Sequence, residues 1–170
     1  IGWWKFDAGV GTIAPDWPVH CKQERLANPH WLSPGWIGQS AMDFGNNSYM
    51  AIRNLVLNDA NATEVSVSAW VRTSSSSMQT IVSFDRSDYW RFETGSQYVS
   101  PGLLGWEVST STGTVDLASQ RRVDDGQWHH VAGVFDNGTM TIYFDGTPDA
   151  SAVGGNTFGI ASTRYGFLGS

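Results

Sequence analysis

Residues 124–146 of the chain read DDGQWHHVAGVFDNGTMTIYFDG. Aliphatic and aromatic residues recur over Trp128–Phe135 and again, in strict alternation with polar ones, over Thr139–Asp145, which predicts two strands. Asp136-Asn137-Gly138 lies between them and is typical of a tight turn, because Asn and Gly accept positive φ. The stretch therefore predicts an antiparallel hairpin, and the rest of the chain can be interpreted around it.

The same hairpin holds two histidines and four aspartates, which could indicate a metal site or an acid–base pair. Neighbouring side chains of a strand point to opposite faces, so His129 and His130 cannot bind one metal together without a bulge. We expect one histidine beside the core and the other on the sheet surface. The acidic residues have local roles, because they fall at predicted turns: Asp124, Asp125, Asp136 and Asp145.

Composition limits the function classes. The chain has 170 residues, 41% of them hydrophobic and 15% charged, which suits one globular domain with a real core. The net charge is −6 and no basic cluster occurs, so nucleic acid is not an expected partner. No apolar run reaches the roughly 18 residues of a membrane helix, so no membrane insertion is expected. The one cysteine, Cys21, has no internal disulfide partner.

Short runs of β-forming residues separated by turn residues make up most of the chain, and no helical period is sustained. This pattern predicts an all-β, antiparallel sandwich or barrel. Residues 14–39 hold several prolines and are predicted to form a long loop. The other predicted strands are Gly2–Phe6, Ser40–Phe44, Ser48–Arg53, Glu64–Arg72, Met78–Phe84, Tyr89–Glu93, Leu103–Thr110 and Thr114–Ala118.

Alternation also assigns faces. In the strand from Glu64, the valines and Ala69 share a core face, while Trp70 and Arg72 share the other. Tyr143, Tyr89 and Arg91 likewise lie on the face opposite to the apolar residues of their own strands. A face that mixes aromatic and polar groups can stack sugar rings, although an ordinary solvated face has the same composition.

Four blocks of sequence resemble one family in order and spacing: GWWKFDAGVGT (2–12), GQSAMDFGNNSYMAI (38–52), VSVSAWVRT (65–73) and the hairpin stretch. They are similar to laminin-G-like, concanavalin A-like jelly-roll domains. The resemblance implies two packed antiparallel sheets. It also implies an extracellular or cell-surface module, part of a larger protein, that binds glycans or proteins, often with one calcium ion.

Two departures from the family pattern bear on these expectations. The turn after the first strand, commonly Asp-x-Ser-Gly-Asn-Gly in relatives, is replaced here by Asp16-Trp17-Pro18-Val19-His20. Residues 1–170 are expected to be one domain that lacks the family's last strand, because the chain stops at Ser170 without the usual segment. We expect the natural chain to continue; otherwise a partner would supply the strand at an open edge.

Enzymatic chemistry is not predicted. Glycoside hydrolysis needs two carboxylates about 5–9 Å apart, and the alternating Glu-x-Asp motif of glucanases of this fold is absent. Glu93 and Glu107 each stand alone in the sequence. The strand motifs of polysaccharide lyases are absent as well, and Cys21 beside His20 is not by itself a catalytic dyad.

Candidate sites follow from residue types. Calcium favours oxygen ligands, and the residues that could supply them are Asp16, Asp43, Asn46 and Asn47. Asn-x-Ser/Thr sequons, which suggest glycosylation, occur at Asn46, Asn61 and Asn137. Side chains that could contact a ligand are Trp17, Trp31, Trp36, Trp70, Tyr89, Arg91 and Tyr143.

The sequence therefore predicts a non-catalytic extracellular binding module that recognises a glycan or a protein surface. One alternative is a structural subunit that self-associates through an open sheet edge. The other is a divergent glycoside hydrolase or polysaccharide lyase of the same fold.

Overall fold

The computed structural model describes residues 2–15, 23–45, 47–53, 62–84, 90–158 and 165–169. Within these residues the regular structure is all β, as predicted. The same residues contain no helix of the length and apolar character needed to cross a membrane.

Fourteen strands run along the described part of the chain. Their bounds are β1 (Ile13–Pro15), β2 (Gln23–Ala27), β3 (His30–Leu32), β4 (Ala41–Asp43), β5 (Tyr49–Arg53), β6 (Glu64–Val71), β7 (Gln79–Phe84), β8 (Trp90–Thr94), β9 (Leu103–Thr110), β10 (Gly113–Arg122), β11 (His129–Asp136), β12 (Thr139–Phe144), β13 (Thr147–Val153) and β14 (Tyr165–Leu168).

The strands form two large antiparallel sheets and one small one. The eight-stranded sheet has the order β1-β2-β5-β14-β7-β8-β9-β10, and the four-stranded sheet has the order β13-β12-β11-β6. Strands β3 and β4 pair separately. Among the described strands, β6 pairs only with β11, so it is an edge strand of the four-stranded sheet. The predicted two-sheet jelly-roll sandwich is confirmed.

Trp106 joins the two sheets at the centre of the core. Its side chain is fully buried on β9, and its indole N–H donates to the Val134 carbonyl of β11 at 3.2 Å. Gly133 makes room for the ring, since a Cβ at that position would lie 2.8 Å from Trp106 Cδ2. Phe92 packs edge-on against the same indole. The side chain of Trp106 thus fills the space between the inward faces of β9 and β11.

The N-terminal third differs from the prediction. Residues 14–39 are not one long loop, because β1, β2 and β3 lie wholly or partly within them. The prolines do not prevent these strands, since Pro15 ends β1 and Pro29 lies between β2 and β3. Conversely, the strand predicted at Gly2–Phe6 is reduced to an isolated bridge at Trp4. Phe6 has φ of +54°, which ends the extended conformation.

Two further strands were not predicted. In β13, Pro148 and small residues hide the strand pattern, but Pro is tolerated there because β13 is at a sheet edge. In β14, Gly166 interrupts a short run, and its missing side chain accommodates the Phe84 ring, which a Cβ would meet at 2.5 Å. That the family's last strand is missing stays a prediction.

Candidate functional site

An aromatic surface lies on the outer face of the four-stranded sheet; its members are Trp36, Trp70, His130 and Tyr143. Trp70 of β6 pairs directly with His130 of β11, and their ring centres are 5.4 Å apart. The neighbouring residues Ala69 and Val71 face the core, so strand alternation places Trp70 outside. Trp36 adds a third ring, with its centre 5.8 Å from that of Trp70.

A compact loop between β3 and β4 holds Trp36 in this position. The Ser33 hydroxyl donates to the Gln39 carbonyl at 3.2 Å, and the Ser40 hydroxyl donates to the Phe6 carbonyl at 2.6 Å. Gly35 allows the loop to close, because a Cβ there would lie 2.2 Å from the Ser40 carbonyl oxygen. Trp36 is nevertheless 56% exposed and Trp70 40% exposed, so both rings are accessible to a ligand.

Small side chains separate the paired tryptophans from Tyr143. Tyr143 of β12 is opposite Ala132 of β11, and Ala132 is opposite Ser68 of β6. The row Tyr143–Ala132–Ser68 is next to the row that contains His130 and Trp70, since side chains on one face recur every second residue. The outer face therefore has a shallow depression at Ala132 and Ser68, and aromatic rings border it.

One end of the aromatic surface is positively charged. Arg72 follows Trp70 on the same face, and its guanidinium carbon is 5.1 Å from the ring centre of Trp128. Alternation along the strand predicted Arg72 on this face, but the predicted ligand contacts did not include Arg72, Trp128 or His130. They could have been found from strand alternation, which places their side chains on the same face of the sheet as Trp70.

Arg91, predicted as a ligand contact, lies elsewhere, on the eight-stranded sheet. Its Nε is 2.9 Å from Glu93 Oε2, and its second terminal nitrogen is 2.7 Å from Glu107 Oε2. The contact to Glu93 is an ion pair without hydrogen-bond alignment. Two carboxylates therefore already occupy the guanidinium, which makes Arg91 a poor ligand contact.

Glu93 and Glu107 are isolated in sequence but meet around Arg91. Burial raises the pKa of Glu93 to about 7, and the nearby charge of Arg91 only partly offsets this. A protonated and an ionised carboxyl in proximity resemble a general acid–base pair. However, the Glu93 side chain is only 2% exposed, so a substrate cannot reach it. We interpret the cluster as structural.

Two of the calcium candidates, Asp43 and Asn47, lie within the described residues. One Asp43 oxygen accepts from the Gly45 N–H at 2.8 Å, and the other is 2.9 Å from His30 Nδ1. Asn47 occupies a left-handed turn with φ of +61°. Within the described residues, no three His, Cys, Asp or Glu side chains are grouped as a metal site would require. Calcium binding stays a prediction.

The remaining predicted residues divide into three groups. Trp31 is half-buried against the core, and its indole N–H donates to the Gly11 carbonyl at 3.0 Å, which indicates a packing role. Asn137 is exposed in the β11–β12 turn, and its glycosylation stays a prediction. The others lie outside the described residues: Asp16, Trp17, Asn46, Asn61 and Tyr89.

The two histidines of the hairpin face opposite ways, as predicted. His129 is on the core side, where its ring contacts Phe144. Its Nδ1 is 2.9 Å from Asp145 Oδ2, and its Nε2 is 3.1 Å from Asp125 Oδ1. Burial lowers the pKa of His129, but the two carboxylates outweigh that effect, so the pKa is raised overall. The pKa values of both aspartates are lowered.

His129→Gln is expected to lower the free energy of unfolding by roughly 1 kcal/mol at pH 5 to 6. A raised histidine pKa stabilises the fold fully below the unfolded value of about 6.5 and loses that effect as pH rises. The two aspartates, whose pKa values are lowered on folding, contribute fully to stability only above a pH of about 4, their value in the unfolded chain. Urea unfolding at several pH values measures the difference. His30→Gln is the control, because the contact of His30 with Asp43 is exposed to solvent and should contribute less. An equal pH-dependent loss there would contradict the assignment.

The family model Laminin_G_3, described as the concanavalin A-like lectin/glucanases superfamily, matches residues 44–170. No curated protein matches the sequence. Solved structures with the same fold include the binding domain of botulinum neurotoxin DC in complex with SialylT, with a TM-score of 0.67 and 15% identity.

Two other solved structures are similar. The binding domain of botulinum neurotoxin DC in complex with rat synaptotagmin II has a TM-score of 0.68 and 14% identity. Mouse laminin alpha1 domains LG4-5 have a TM-score of 0.53 and 19% identity. The match covers 91% of this chain for both toxin domains and 71% for laminin. It covers 40% of each toxin chain and 31% of the laminin chain.

Proposed function

The chain belongs to the concanavalin A-like lectin/glucanases superfamily, and from this premise we propose that it is a non-catalytic module that binds glycan through its aromatic surface. The observation that carries the proposal is the contact of Trp36 with Trp70, two exposed rings 5.8 Å apart on one sheet face. Sugar rings present C–H groups that pack on aromatic faces, and hydroxyls that polar neighbours can bind. We also propose an extracellular or cell-surface location.

Three features support binding over catalysis. Two of the similar solved structures are of the binding domain of a neurotoxin. On the eight-stranded sheet, Glu93 and Glu107 both pair with Arg91, and Glu93 is buried. The accessible aromatic rings, by contrast, lie on the opposite sheet, without an acid–base pair among them.

A protein partner is the second candidate, because a similar domain is solved in complex with synaptotagmin II. The exposed rings favour either class of partner, since tryptophan and tyrosine are common at protein interfaces. The shallow depression between the aromatic residues favours a narrow ligand such as a glycan chain. Self-association through an open sheet edge is not needed to explain the aromatic surface.

Glycan-array screening followed by titration tests the proposal. Trp70→Ala is expected to weaken the binding of the best glycan by about tenfold or more, since a stacked ring contributes about 1–2 kcal/mol. Trp36→Ala should weaken binding similarly, and the double variant should bind no more than marginally. Intrinsic tryptophan fluorescence or ligand-observed NMR gives the affinities.

Tyr98→Ala provides the matched control. Tyr98 is 65% exposed on the loop next to β8, which belongs to the other sheet, so its loss should leave glycan affinity unchanged. The proposal is wrong if no glycan binds at millimolar concentration, or if Trp70→Ala binds as tightly as the original chain.

A further inference from the structure

We infer that the glycan recognised by the aromatic surface carries a carboxylate, which Arg72 binds. This inference rests on the proposed function and goes beyond it by naming the ligand's chemical class. It starts from the end of the aromatic surface, where Arg72 directly follows Val71, the last residue of β6.

Arg72 differs in its partners from three other described arginines. Arg91, Arg121 and Arg122 each form an ion pair with an acidic side chain. Among the described residues Arg72 has no ion pair within 4 Å, and its guanidinium instead lies over the ring of Trp128. Such a contact restricts the flexible side chain while leaving its N–H groups available.

The acidic residues of the turn beside the end of β6 are already engaged. The Gly126 N–H donates to the Thr73 carbonyl at 2.9 Å, so the 124–127 turn lies beside the end of β6. In that turn, Asp124 pairs with Arg122, and Asp125 pairs with His129. The turn that could have neutralised Arg72 therefore directs its carboxylates elsewhere, although the chain as a whole has a net charge of −6.

The spacing also fits a sugar. Arg72 lies one residue beyond the end of β6, and side chains two residues apart in an extended chain are separated by roughly 7 Å, which is about the width of one pyranose ring and its substituent. A ring stacked on Trp70 and Trp36 would thus bring an exocyclic carboxylate towards Arg72. The planar guanidinium matches a carboxylate through two parallel hydrogen bonds, which a neutral hydroxyl cannot reproduce.

Matched pairs of ligands test this inference. Uronic-acid oligosaccharides and sialylated glycans are titrated beside their methyl esters, which keep the sugar and remove the charge. The original chain is expected to bind the acid about tenfold more tightly than the ester, and this preference should decrease with salt. Arg72→Gln should remove the preference and leave the affinity for the ester unchanged, and Arg72→Lys should restore part of it.

The controls separate the possible failures. Arg25→Gln, an exposed arginine on β2 of the other sheet, should leave both affinities unchanged. Equal binding of acid and ester by the original chain overturns the inference but leaves glycan binding intact. The same holds if Arg72→Gln weakens both ligands equally, because Arg72 would then only support Trp128, or if a sulfated sugar without a carboxylate binds equally well. Binding of neither ligand overturns the proposed function as well.

Discussion

Trp106→Ala is expected to destabilise the protein by about 3–5 kcal/mol, the usual range when a buried aromatic side chain is truncated. The indole occupies the middle of the sandwich, so its removal leaves a cavity between the sheets. The Val134 carbonyl also loses the hydrogen-bond donor that reaches it from the opposite layer. A domain of this size has a free energy of unfolding of about 5–15 kcal/mol. A large fraction of the variant molecules should therefore be unfolded at moderate temperature.

Chemical denaturation followed by circular dichroism measures this loss. Trp36→Ala is the matched control, since it removes the same side chain from an exposed site and should change stability by less than about 1 kcal/mol. Trp106→Phe should fall between the two, because it keeps an aromatic ring but not the N–H. A loss below about 1 kcal/mol in Trp106→Ala would contradict the central role of this residue.

Glu93→Gln is expected to flatten the pH dependence of stability between pH 5 and 8. The pKa of Glu93 is raised on folding, to about 7, so the folded state holds a proton that the unfolded state releases near 4.5. This proton stabilises the fold fully below pH 4.5, and the effect is lost as pH rises through 7. The loss is at most about 3.5 kcal/mol, since one pKa unit corresponds to about 1.4 kcal/mol.

Unfolding curves in urea at half-unit pH steps provide the measurement. The original chain should become less stable towards pH 8, while Glu93→Gln should lose most of that slope. A smaller slope in the same direction should remain, because burial also raises the pKa of Glu107 and the pKa of His129 is raised. Glu64→Gln, at an exposed position of β6, should keep the original slope. An unchanged slope in Glu93→Gln would show that Glu93 is ionised in the folded protein at neutral pH.

The hairpin was predictable because its signals are local. Alternation fixes which side chains of β11 and β12 face inwards, and the Asp-Asn-Gly turn fixes their connection. Strands β2, β13 and β14 lack such signals. Their conformation depends on pairing partners that are distant in sequence, and tertiary context overrides weak β-propensity.

The candidate site was predictable only in part for a similar reason. Strand parity correctly put Trp70 on the outer face, but nothing local shows that the loop carrying Trp36 folds back onto it. Likewise, Arg91 appeared to be available for a ligand because its neutralisation depends on register. Glu107 lies directly opposite it on the adjacent strand, and one residue of slippage would have separated the two.

The position of β14 has a consequence for how the protein is made. This strand pairs with β5 on one side, through Leu168 and Met50, and with β7 on the other, through Leu168 and Val82. The middle of the eight-stranded sheet therefore cannot close until Leu168 has left the ribosome. Because such distant pairings are slow to form, the edges of β5 and β7 that pair with β14 stay unpaired in the nascent chain until Tyr165–Leu168 has been synthesised. Chaperone capture of chains stalled before Tyr165 would reveal this waiting period.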